Sequence, residues 1–105
     1  MKLYSGKKTN VGPNDIYVFE DGKKTLLDPK PSQDIYNHSS DGFNWGYIGP
    51  GPSHAALGIL LDCVGKDLAV LFYNLFMFDF VAGWKNVFSI SDKRINRYIK
   101  NFSGK

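Results

Sequence analysis

His38, His54, Cys63, the serines at 39, 40 and 53, and the aspartates at 34, 41 and 62 are the side chains to test first for chemistry. Neither histidine has a cysteine or a second histidine at ligand spacing, so no zinc site is expected. His38 stands in Asn37-His38-Ser39, a sequence suited to bonding the backbone of a turn. As a general base it would need an oriented nucleophile, and adjacency to Ser39 and Ser40 supplies no orientation. Cys63 follows Asp62, an acid, where a reactive thiol wants a basic neighbour. It reads as a buried apolar residue, and a lone cysteine forms no internal disulfide, which fits a reducing compartment. The aspartates form no visible carboxylate pair. The expectation is a non-enzyme with no catalytic residue, no metal and no cofactor.

Binding chemistry is easier to place. Gly42-Phe43-Asn44-Trp45-Gly46-Tyr47-Ile48-Gly49-Pro50-Gly51-Pro52 leads into Ser53 and His54. One reading makes this a ligand loop. The free N–H groups of a helix N-terminus would hold an anion near Ser53 and His54, Trp45 or Tyr47 would stack on a base, and His38 would stand nearby. The other reading makes the glycines tight turns, the aromatics core, and Pro52 a helix starter. Pro50 and Pro52 each remove a donor from any phosphate cradle, and the Lys-Ser/Thr pair of a Walker loop is missing. Further on, Lys93, Arg97 and Lys100 recur at i, i+4 and i+7. They form one basic helical side, either solvated or a dock for phosphate or an acidic protein.

The elements that must hold these residues can be read from periodicity. Lys2–Thr9 reads as an opening strand. Ile16–Phe19 and Lys24–Leu27 flank Asp21-Gly22, the signature of a type I′ hairpin. Residues 28–32, with Pro29 and Pro31, read as a loop, and Phe43–Ile48 as a half-buried strand. Leu57, Leu60, Leu61 and Val64 predict a helix over 53–64 ended by Gly65. A second helix is expected over 66–82. Leu68, Leu71, Phe72, Leu75 and Phe78 form one of its faces, and Val70, Tyr73, Met77 and Val81 the other. A helix apolar almost all round is central to a core or half of an interface. The reading here is an interface at Tyr73, Met77 and Val81, facing a second copy or another partner. Ser91 caps a third helix over 92–101, packed through Ile95, Tyr98, Ile99 and Phe102.

With 105 residues and a net charge of +3, the chain is the size of a single domain. Strands first and helices after predict an α+β fold, a small antiparallel sheet packed against about three C-terminal helices. Leu68–Trp84 is apolar but short for a membrane span and contains Asn74 and Asp79. With no apolar leader at the N-terminus, a cytoplasmic protein without membrane contact is expected. The positive charge is concentrated toward the two ends, where it permits nucleic-acid or acidic-partner contact without requiring it.

The segment from Asn37 to Pro52 resembles an uncharacterised family of similarly short proteins from bacteria, phages and other mobile elements. Its pattern reads approximately N-H-S-P-x-G-F-x-W-G-Y-G-G-S-G-P-A-Q before an apolar helix. Asn37, His38, Ser39, Gly42, Phe43, Trp45, Gly46, Tyr47, Gly49, Gly51 and Pro52 match; Ser40, Ile48, Pro50 and His54 depart. Further likeness runs through Tyr73, Phe76, Asp79, Val81 and Ala82 to Ile90 and Ser91. The resemblance implies a fold and a genomic setting, and no activity. The resulting expectation is a small non-enzymatic binding protein of phage or mobile-element type. It would inhibit a host defence system, in the manner of an anti-CRISPR, by occupying a host protein or nucleoprotein surface. The alternative is a nucleotide- or phosphate-binding module, or small enzyme, centred on residues 42–54.

Overall fold

The computed structural model describes residues 1–9, 12–36 and 42–103, with Ser103 described by its backbone alone. Strand β1 (Lys2–Lys7) pairs antiparallel with β2 (Ile16–Glu20), which turns into β3 (Lys23–Leu26). Asp21 and Gly22 take φ of 54° and 78°, both positive as a type I′ turn demands.

After the hairpin the proline-marked segment is not a loop. It forms a short helix, α1 (Lys30–Ile35), because proline is tolerated in the first helical turn, where its missing N–H has no partner to lose. The expected strand over 43–48 does not form. Phe43 makes one isolated bridge to Asn14, and Gly46 at φ 90° turns the chain away from an extended path.

Helix α2 (Pro50–Val64) begins three residues before the expected start, with Pro50 in its first turn. Gly65, at φ 87°, ends it and opens α3 (Lys66–Asp79). The expected helix over 66–82 therefore stops at Asp79, and a 3₁₀ turn follows at Val81–Gly83. A strand the sequence analysis did not expect, β4 (Val87–Ser91), pairs with β1, giving the order β3-β2-β1-β4. Helix α4 (Asp92–Ser103) follows at once. The Ser91 hydroxyl accepts the Arg94 N–H at 3.1 Å, the cap expected of it.

The fold is thus α+β, a four-stranded antiparallel sheet covered by helices. Tyr4, Ile16, Val18, Phe88 and Ile90 point from the sheet into the core. Helix α2, buried from Gly51 to Leu60 apart from Ser53, is the central helix. Helix α3 buries Ala69, Phe72, Tyr73, Phe76 and Met77 and leaves its other side out. Gly6 is required by close approach: a Cβ there would lie 2.6 Å from the Phe88 ring and 2.7 Å from the Trp45 indole. Among the described residues no helix is long and apolar enough to cross a membrane.

Candidate functional site

The loop before α2 is occupied by its own packing. Trp45 is fully buried, its indole N–H donates to the Lys85 carbonyl at 2.9 Å, and its ring meets Phe88 edge-on. It is therefore not a stacking platform for a base. Asn44 ties the loop together. Its Oδ1 accepts the Trp45 N–H at 3.0 Å, and its amide donates to the Gly12 carbonyl at 3.2 Å. Its backbone N–H reaches the Gly51 carbonyl at 3.3 Å. At the start of α2 the Ser53 N–H is taken by the Gly49 carbonyl. A Cβ on Gly51 would strike Asn44 and the Tyr47 hydroxyl, both at 2.8 Å. That N-terminus is packed by side chains, so the geometry offers an anion no cradle. Of the described residues read as ligand-binding, Tyr47 alone is openly exposed, with the Lys8 ammonium 5.6 Å from its ring. His38 lies outside the described residues.

His54 is fully buried. The Gly42 carbonyl, 2.9 Å away, can only accept, which places a proton on Nδ1. Nε2 lies 2.6 Å from the Ser32 hydroxyl oxygen and 3.2 Å from the Pro29 carbonyl, and the Ser32 hydroxyl donates to that carbonyl at 2.9 Å. A serine so close to a histidine has the spacing of a nucleophile and its base. Ser32 is fully buried as well, at the inner wall of the cleft beside the β2–β3 hairpin. The pair clasps α1 to α2 and to the loop. This is the partner that the sequence could not assign to His54.

The partner-facing residues divide in two. Lys93, Arg97 and Lys100 are exposed on the side of α4 away from Ile95 and Ile99, as expected. Tyr73 and Met77 are buried, at 7% and 3% exposure, because the face of α3 that bears them packs against the chain's own core. Outward instead stand Leu68, Leu71, Leu75 and Phe78, at 38%, 69%, 44% and 56% exposure. Their spacing was legible, and which of the two apolar faces turns inward was not. Phe102 of α4, half-exposed, leans on Phe72, one helical turn from both Leu68 and Leu75.

A cleft of about 500 Å³ opens between the β2–β3 hairpin and helices α1 and α2, with Lys2, Leu26, Ser32, Leu61 and Asp62 on its walls. Two of its polar groups, Lys2 and Asp62, are engaged with each other. Asp62 accepts the Tyr4 hydroxyl at 2.7 Å and the Lys2 ammonium at 3.2 Å. Burial, then the bond to Asp62, pushes the Tyr4 phenol far above its ordinary value. Burial likewise pushes the Cys63 thiol up, the opposite of nucleophile activation. Among the described residues no cluster of histidine, cysteine and carboxylate could hold a metal.

The chain belongs to the family of unknown function DUF6166, whose model matches residues 4–101. No curated protein and no solved structure matches the chain.

Proposed function

We propose that this member of a family without assigned activity is a non-enzymatic binding protein that docks on a partner protein through the outward side of α3. One observation carries the reading: Leu68, Leu71, Leu75 and Phe78 form a continuous exposed apolar row along that helix. They offer on the order of 400 Å² of apolar surface, close to the apolar share of one side of a standard interface. The row has the i, i+3, i+7 spacing with which a helix seats in an apolar groove. Lys93, Arg97 and Lys100 add a cationic ridge on α4, suited to an acidic or nucleoprotein surface. The phage or mobile-element setting, action in the bacterial cytoplasm, and interference with host defence are supported by the resemblance of the Asn37–Pro52 segment. The phosphate-loop alternative has less support, since Trp45 and His54 are consumed by packing.

The test compares proteins captured from host lysate by the wild type and by Leu71→Asp/Leu75→Asp, with folding checked by circular dichroism. A partner held by the wild type and lost by the variant, and reconstituted with purified components, supports the reading. An identical set on both overturns it. Sedimentation of the purified protein identifies the case in which the row pairs with a second copy instead.

A further inference from the structure

The helices cover one face of the sheet. On the other face, Tyr17 and Phe19 lie side by side on β2, an inner strand of the order β3-β2-β1-β4. Residues two apart on a strand share a face, and Ile16 and Val18 between them point into the core. The pairing register sets the surroundings. Tyr17 lies opposite Ser5 on β1 and Leu26 on β3, and Phe19 lies opposite Leu3 and Lys24. Ser5 is in turn paired with Ser89 of β4. Small side chains stand on that flank, and Tyr17 and Phe19 are each part-exposed. The Lys24 ammonium stands 4.2 Å from the centroid of Tyr17 and 5.9 Å from that of Phe19. A shallow concavity of about 270 Å³ runs across this face, lined by Lys7, Thr9, Asp15, Tyr17, Phe19 and Lys24 among others. Among the described residues no element lies over it.

We infer that this open sheet face is a binding platform for single-stranded nucleic acid. Every nucleobase has a π-face, so two rings on one strand accept successive bases without choosing a sequence. Lys24 can leave the rings for a phosphate as a base takes its place, and Lys7 supplies a second cation across β1. Asp15 at the rim opposes a phosphate and is suited to accept from a base amino group. A concavity this shallow takes a flat ring and does not enclose a drug-sized ligand. A duplex hides its base faces in the stack, so the same surface offers it much less. This site is distinct from the α3 row and stands or falls independently of it.

The experiment is a fluorescence-anisotropy titration of the full chain with labelled oligo-dT, oligo-U and a duplex of equal length, at several salt concentrations. Binding of one or both single strands is expected, with the duplex weaker, and the comparison of dT with U identifies the sugar preferred. Two phosphate contacts predict a slope of roughly −1.4 in log K against log salt. Tyr17→Ser and Phe19→Ser should each weaken binding by on the order of tenfold, the loss of one stacked base. Lys24→Glu, an exposed change that spares the core, should weaken it and flatten the salt slope. If a ring variant fails to fold, chemical-shift mapping on the wild type replaces it, with the largest changes expected at Tyr17, Phe19 and Ser5. The inference is overturned if neither single strand binds at low salt or if the duplex binds as tightly. It is also overturned if the shifts, or the effect of changing Lys93, Arg97 and Lys100 to Glu, place the contact on α4.

Discussion

A buried polar side chain is tolerated when its hydrogen bonds are met, and His54 meets this condition with three groups from two other segments. Replacing it by alanine removes the donor to the Gly42 carbonyl and leaves a space beside Phe43, whose ring centroid is 4.8 Å away. His54→Ala should lower stability by about 1–3 kcal/mol for the orphaned carbonyl alone, read as a lower denaturant midpoint at unchanged slope. Gly6→Ala tests the opposite limit. The added methyl would overlap two aromatic rings, and overpacking of this kind costs about 1–3 kcal/mol. Neither role could be read from the chain. Gly6 looks like any glycine at a strand end until Trp45 and Phe88, far away in sequence, are placed over it. His54 looks like a helix N-terminal ligand until Ser32 and Gly42 are brought to its ring.

Local elements were more legible than their faces. The Asp21-Gly22 turn is settled by backbone sterics, since among the described residues only these two take successive positive φ values. Nothing lies within 4 Å of the position a Cβ on Gly22 would take, so Gly22→Val should act through backbone strain alone. The expected loss is about 1–2 kcal/mol, visible as a lower melting temperature. Helix ends were likewise legible at Gly65 and Ser91, where one residue type meets one local need. Strand β4 was hidden despite the strict alternation of Val87-Phe88-Ser89-Ile90-Ser91, because it is an edge strand inserted between helices and completes a sheet begun far earlier in the chain. Helix α1 was hidden because Pro29 and Pro31 signal a break and a helix start equally well. For α3 the sequence offers two apolar faces of similar strength. Only the shape of the remaining core chooses Tyr73 and Met77 over Leu71 and Phe78.

At the scale of the whole molecule, two tyrosine–aspartate bonds join elements far apart in the chain or separated by a strand. The Tyr4 hydroxyl on β1 donates to Asp62 on α2, and the Tyr98 hydroxyl on α4 donates to Asp79 at the end of α3. Burial first, and the bonded carboxylate second, push both phenols above the ordinary tyrosine value. In the unfolded chain the same phenols lose their protons near the usual value of about 10. The folded state therefore holds protons that the unfolded state has released, and stability must fall as pH rises past that value. The contribution is fully present below about pH 10 and shrinks progressively above it, as each lost proton would set a phenolate against a carboxylate. A melting-temperature series from about pH 8 to pH 11 should be flat at first and then descend. Tyr98→Phe separates this cause from general alkaline repulsion. It removes one neutral-pH hydrogen bond, worth about 1 kcal/mol, and with it one of the alkaline titrations that burial raises. The variant should start lower and fall less steeply than the wild type. Parallel curves would mean that the α3–α4 bond has no part in the alkaline loss.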